Sequence, residues 1–329
     1  MQASFRSYNH AQDYDAVGRF LLRTYGTGTP HRNWLHPQWE YMRFHPGLDA
    51  DHLREFGVWE DENTDEIVGI VHYEHRMGLN YVQLAPHYMS LQRPALLHAV
   101  EHLAGDFKIG RAVHVYIDDT DTGFQAIASS LGFEKLGTDL SEPTSTLPLE
   151  DPGALPYERI RVPDGFRLIS LADDDDLRKV HRVMHRGFNH EGEPPEDELE
   201  DRKRKLSAPN FRRELTIVVA APDGRFASFA GTWYIPENRV AYIEPVATDP
   251  DYRRRGLGTA AVLEGLLRAA ELGATVAHVG SDQPFYRSMG FRVAFRQSLW
   301  RKVLLSPRGN PSLLIAGTPS GLSRTNTYT

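Results

Sequence analysis

The stretch Arg239–Gly273, RVAYIEPVATDPDYRRRGLGTAAVLEGLLRAAELG, decides the fold of this chain. It begins as an apolar, β-branched run (Val240, Tyr242, Ile243, Val246) that predicts a strand, broken at Asp249-Pro250. A basic glycine loop, Arg253-Arg254-Arg255-Gly256-Leu257-Gly258-Thr259, then opens a segment rich in Ala and Leu that predicts a helix. The first four N–H groups of a helix lack intrahelical acceptors, and its dipole favours negative charge there. Gly256 and Gly258 remove Cβ atoms that would hold a phosphate off those amides. The turn is therefore read as a seat for an anion, and a pyrophosphate suits it better than a protein partner.

About a strand later stands Phe285-Tyr286-Arg287-Ser288-Met289-Gly290-Phe291. An Arg-x-x-Gly-x-Gly loop after a strand ending Val-Ala-Thr, followed by an aromatic, a Tyr and a Gly-Phe ending, resembles the GCN-related N-acetyltransferase superfamily (GNAT). The resemblance implies acetyl-CoA as acyl donor. It implies that the backbone of Val246, Ala247 and Thr248 pairs with the pantetheine arm, and that amides of Arg254, Arg255, Gly256, Leu257, Gly258 and Thr259 hold the pyrophosphate. It also implies that Tyr286 is the general acid for the departing thiolate, with a packing aromatic as the alternative. Glu244 stands where members of the family often carry a carboxylate, and is the candidate base. An alkyl ammonium of pKa ~10.4 is deprotonated only about one part in a thousand at pH 7, so a base or water relay helps. A purely structural Glu244 is the alternative. Pro245 cannot donate to a ladder, which fits either a break in pairing or an edge strand. The family's Asn before the last helix has no match in Gly280-Ser281-Asp282-Gln283-Pro284, where Ser281 or Asp282 would have to substitute.

The chain has 329 residues, 40% hydrophobic and 25% charged, which suits two soluble globular domains at ~150 residues each. A formal charge of -7 disfavours a general nucleic-acid binder, so the clustered arginines point to a local anion site. With no Cys, disulfides, thiolate metal sites and a cysteine nucleophile are excluded. No apolar run approaches the ~20 residues of a membrane span, and the first residues lack the apolar core of a signal peptide, so a cytoplasmic protein without membrane association is expected.

In the first half, residues 1–146, the pattern predicts a strand at 5–8, helices at 13–25, 36–44 and 49–56, three meandering strands, a helix at 94–105 and a strand at 112–117. It closes with Leu131-Gly132-Phe133 as the second half closes with Met289-Gly290-Phe291. This parallel suggests an internal duplication with a degenerate first copy. Its counterpart of the basic loop, Leu84 to Pro94, has no glycine, and Ala128 stands where the second copy has Tyr286. Residues 147–156, rich in proline, read as a linker; 157–305 as the acetyl-CoA-binding domain; 306–329 as a tail. The expected fold is mixed α/β: two tandem GNAT-like lobes, each a mainly antiparallel sheet flanked by helices.

Asp173–Asp176 would cap a helix. From Glu191 to Lys205 charge runs from acidic to basic, as a solvated helix or as the wall of an acceptor pocket that draws in a cationic amine. His181 and His185 have zinc-compatible spacing, but no Glu lies between them and a third ligand is not evident, so they read as a surface pair and no metal is expected. His278, inside an apolar strand, reads as a buried core residue. The expected function is transfer of an acetyl group directly to a primary amine of a small molecule or a protein. A non-catalytic acetyl-CoA sensor or scaffold, and an acyltransferase acting on a hydroxyl or thiol, remain as rivals; an oligomer is compatible with the sequence.

Overall fold

The computed structural model describes residues 2–26, 32–151 and 155–304. Along the chain run β1 (Ala3–Ser7), α1 (His10–Thr24), α2 (His36–Phe44), β2 (Gly57–Asp61), β3 (Ile67–Tyr73), β4 (Leu79–Leu84), α3 (Gln92–His102), β5 (Gly105–Phe107), β6 (Gly110–Asp118), α4 (Thr122–Ser130), β7 (Glu134–Lys135) and β8 (Glu142–Pro148). The second half holds β9 (Arg167–Ser170), α5 (Leu177–Gly187), α6 (Leu199–Lys205), β10 (Ile217–Ala220), β11 (Phe226–Ile235), β12 (Val240–Thr248), α7 (Leu257–Glu271), β13 (Val276–Val279), α8 (Pro284–Arg287) and β14 (Arg292–Val303). The expected helix at 49–56 shrinks to a single 3-10 turn, Leu53–Glu55.

The chain divides into two compact units. The sheet of the first runs β1-β2-β3-β4-β6-β14. Every neighbouring pair is antiparallel except β4 and β6, which are parallel at Leu79↔His114 and Asn80↔Val115. The sheet of the second runs β9-β10-β11-β12-β13-β8, again antiparallel except for β12 and β13, parallel from Val240↔Val276 to Tyr242↔His278. The two units share one strand plan.

That plan is completed differently from the expected division at 146–157. The strand after Met289-Gly290-Phe291 pairs with β6 of the first unit from Gln297↔Asp118 to Val303↔Ala112. The strand after Leu131-Gly132-Phe133 pairs with β13 of the second, from Ser145↔Val279 to Pro148↔Val276. The stretch read as a linker, 147–156, therefore starts inside a strand, and its leucines Leu147, Leu149 and Leu155 are buried in the second unit's core. Their apolar side chains explain why: a solvated tether would leave them in water. The tail 306–329 lies outside the described residues.

In the second unit the period of two along β10 sorts its side chains cleanly. Ile217 and Val219 join Ala241, Ile243 and Leu263 on the α7 side, whereas Val218 and Ala220 join Phe229, Ala247, Val180 and Met184 on the α5 side. Helix α5 starts as the sequence predicts, with Asp176 Oδ1 accepting from the N–H groups of Arg178 at 2.9 Å and Lys179 at 3.2 Å.

Candidate functional site

The site begins where β12 leaves its parallel neighbour. Pairing with β13 stops at Tyr242, so 243–248 splay away from it. On the other edge the ladder to β11 shifts register between Ala230 and Thr232. Gly231 makes the shift feasible: a Cβ there would lie 2.5 Å from the Glu244 carbonyl oxygen and 3.2 Å from Pro245 Cδ. Pro245 thus sits at a break in regular pairing inside the sheet, not on an edge strand.

Antiparallel ladders use alternate residues. The Asp249 N–H donates to Ala227 O at 3.0 Å, which puts Asp249 and Ala247 on the β11 edge and leaves Val246 and Thr248 facing the splay. This corrects one expectation: Ala247 does not share the exposed edge. Its carbonyl also accepts from Ser228 Oγ at 3.1 Å, and its side chain packs among the α5-side residues.

Helix α7 opens with Gly256 as N-cap at φ +78°, without a side-chain cap, so its first amides carry no side-chain partner. A cavity of about 580 Å³ lies against this end, lined by Thr248, residues 252–254, residues 256–259 and Phe285. The two glycines serve it for different reasons. Around Gly256 a Cβ would meet nothing within 4 Å, so its requirement is the left-handed backbone. At Gly258 a Cβ would come within 3.0 Å of Thr248 Oγ1 and 3.4 Å of Phe285 Cζ, narrowing the cavity itself.

The three arginines part ways. Arg254, also left-handed at φ +64°, is exposed at the cavity. Arg255 lies over the rings of Phe166 and Tyr252, each 5.8 Å from its guanidinium carbon; Tyr252 lines the cavity, Arg255 does not. Arg253 turns inward.

Glu244 and Tyr286 are not among the residues lining this cavity, but they are electrostatic neighbours. Tyr286 is buried, 1% exposed, edge-on to Phe285 and Phe291, and its hydroxyl pKa is pushed far up by burial and then by the charge of Glu244. Glu244 is half-buried and accepts from the Tyr242 hydroxyl at 2.8 Å, while Trp233 Nε1 donates to its backbone carbonyl at 2.8 Å. Lys205, half-buried on α6, is pulled down to about 7 by burial and by Arg202, with Glu244 opposing. The seven carboxylates between Glu191 and Asp201 are all exposed, which fits the solvated reading of that stretch; the residue that feels Glu244 comes from its basic end.

His181 is not a surface residue: it is 4% exposed, with Nε2 3.0 Å from Pro195 O. His278 is buried as expected, and its pKa falls to about 4 through burial. Ser281 is buried, with its Oγ accepting from the Gln283 N–H at 3.3 Å. Sequence reading missed Tyr242, Phe285 and Asp249. Tyr242 was detectable as the residue two before Glu244, on the same strand face.

A splayed parallel pair, a glycine-opened helix and an adjoining cavity, all inside one unit, coincide with what a family model finds. Residues 176–291 match the model of the acetyltransferase (GNAT) family. This segment is a GNAT domain. It spans β10 to β13, the loop and the Gly290-Phe291 ending. Among solved structures, a GCN5-related N-acetyltransferase from Sphaerobacter thermophilus is 17% identical, with 91% of this chain and 95% of that one covered and a TM-score of 0.60. A tandem GNAT protein from the clavulanic acid biosynthesis pathway is 15% identical, covering 92% and 98%, TM-score 0.60. N-myristoyltransferase of Saccharomyces cerevisiae with bound myristoyl-CoA is 12% identical, covering 92% and 79%, TM-score 0.52. At such identities these are likenesses of fold. No curated protein matches the sequence. Among the described residues no cluster of His, Asp and Glu is placed to hold a metal ion, and no helix is long and apolar enough to cross a membrane.

Proposed function

We propose that the second unit is an acetyl-CoA-dependent N-acetyltransferase that transfers the acyl group directly to a primary amine of a small molecule or protein. The observation that carries this reading is the cavity at the start of α7, where unsatisfied helix amides, the Arg254 side chain and the splayed edge of β12 converge. The amides of 254–259 would hold the pyrophosphate, with Arg254 supplying charge, and the backbone of Val246 and Thr248 would pair with the pantetheine arm. Bound this way, the donor supplies a thioester carbonyl for attack.

Glu244 would take the proton that the amine loses as its nitrogen bonds to the carbonyl carbon, directly or through water. Tyr242 holds that carboxylate in one orientation. The carbon–sulfur bond then breaks, and Tyr286 would donate a hydrogen bond to the departing thiolate. Its raised pKa narrows this role: a thiol ionises near ~8.5, well below the buried phenol, so Tyr286 stabilises the thiolate without surrendering its proton outright.

The test joins calorimetry of coenzyme A with thiol release from acetyl-CoA over a panel of amines, amino acids, aminoglycosides and peptides. Release with at least one amine is expected; tight binding with no release would favour a sensor, and release only with alcohols or thiols would move the acceptor class. Tyr286→Phe is expected to lower kcat ~10- to 100-fold with coenzyme A affinity retained. Glu244→Gln should lower kcat and remove the acid limb of its pH profile. An unchanged rate in both variants would return the two residues to structural roles.

A further inference from the structure

Arg253 belongs to a loop whose basic character suggests phosphate and contributes to the cavity wall, yet two of its guanidinium nitrogens, Nε and Nη2, are bonded to protein acceptors. It is half-buried while Arg254 and Arg255 are exposed. Its Nε donates to Thr248 O at 3.1 Å, and its Nη2 donates to Gly187 O at 2.9 Å and Asn189 Oδ1 at 2.8 Å. Gly187 is the last residue of α5, so its carbonyl is one of the orphan acceptors at a helix C-terminus, where the dipole favours a cation. Asn189, at φ +63°, is the left-handed residue that turns the chain out of that helix.

Two further ties fasten the same junction. Asp249, fully buried, accepts from Arg182 Nη1 at 2.6 Å and Arg186 Nε at 2.9 Å, and Arg186 also reaches Asp251 at 2.8 Å. Gly187 packs so closely on β12 that a Cβ would lie 2.7 Å from Ala247 Cβ and 3.0 Å from Thr248 N. Helix α5 also carries the acidic segment: His181 Nε2 lies 3.0 Å from Pro195 O, His185 Nε2 3.2 Å from Glu191 O, and Arg182 Nε donates to Glu193 at 3.1 Å. The loop, the helix end and the acidic segment form one continuous hydrogen-bonded chain.

We propose that Arg253 is a positioning residue that locks the donor loop to the C-terminus of α5 and through it to the acidic segment 191–198, and that it makes no contact with donor phosphate. This rests on the reading of the loop as an acyl-CoA site. Arg254 is then the loop's phosphate-facing cation. A side chain that contacts phosphate contributes to the salt dependence of binding, whereas a buried brace contributes to affinity without it.

Coenzyme A binding by calorimetry between about 50 and 300 mM salt, with amide exchange of the ligand-free protein, separates the two roles. Arg254→Gln is expected to flatten the salt dependence and leave exchange unchanged. Arg253→Gln is expected to weaken binding ~10-fold with the wild-type salt dependence, and to raise exchange over 187–198. Asn189→Ala, which removes a single arm of the brace, should move exchange in the same direction by less. If Arg253→Gln flattens the salt dependence and leaves exchange over 187–198 unchanged, the proposal is overturned. Should wild-type protein bind no coenzyme A, the loop reading fails instead, and the exchange data still decide whether Arg253 is the brace.

Discussion

Gly258 stands between Thr248 Oγ1 and Phe285, so that an added methyl carbon would lie only 3.0 Å from the one and 3.4 Å from the other. Neither neighbour moves easily, since Thr248 is bound to Ser228 Oγ at 3.0 Å and Phe285 packs on Tyr286. Gly258→Ala is therefore expected to cost ~1–3 kcal/mol, read as a lower melting temperature and a coenzyme A affinity ~10-fold or more below wild type. Wild-type affinity would mean that Thr248 and Phe285 yield to the methyl group and that this wall of the cavity is not limiting. Buried histidines set a second residue-scale expectation. His72, His114 and His278 are held neutral by burial, with pKa values lowered to about 4. The unfolded chain takes up a proton on each near pH 6.5 that the folded chain refuses until near pH 4, so stability is intact above the first value and falls as pH drops between them. Each costs about 1.4 kcal/mol per pH unit over that window. Thermal unfolding from pH 7 to 4.5 measures it, and a flat melting temperature would contradict it.

At the scale of elements, the first unit repeats the splay of the second but fills it. Leu84, on the edge of β4 that faces away from β3, donates its N–H to Asn33 Oδ1 at 2.9 Å and accepts from Asn33 Nδ2 at 2.9 Å, as a strand partner would. The neighbouring Trp34 N–H donates to Gln83 Oε1 at 2.7 Å, and Gln83 reaches His72 at 3.2 Å. Here the chain's own segment takes the place that a donor's arm takes in the reading of the second unit. Native mass spectrometry of the full chain with coenzyme A should then show one equivalent bound and never two; a second equivalent would mean that this plug opens. Sequence conveyed the degenerate copy through what it lacks, a glycine between Leu84 and Pro94 and a Tyr at 128. The plug itself was illegible, because Asn33 lies far along the chain from Leu84 and no local periodicity links them. By contrast, β12, the loop and α7 were legible because strand period, glycine loop and helix period follow one another without a long-range partner. Ala247 was misassigned for a reason open to correction from sequence: only alternate residues of a strand share an edge.

For the whole molecule, the strand exchange is what local patterns could not foretell, since period and turn signals locate strands but not their partners. Each half closes on Gly-Phe and a strand, and the natural expectation pairs that strand with its own half. The structure assigns Gln297–Val303 to β6 and Ser145–Pro148 to β13. Sequence order and unit therefore part company at both ends of the second half. A chain ended after Ala294 would leave β6, with Val113, Val115 and Ile117 all buried in the intact protein, as an unpaired apolar edge. It would also remove Leu299 and Trp300 from the first core. The expected outcome is selective: Trp34, Trp39 and Trp59, all in the first core, should lose their near-ultraviolet dichroism and the protein should aggregate through that edge, while β13 keeps its partner β8 and the donor loop keeps its braces. An intact near-ultraviolet spectrum in that truncated chain would show that the first unit closes without the borrowed strand, and that the exchange is dispensable to its fold.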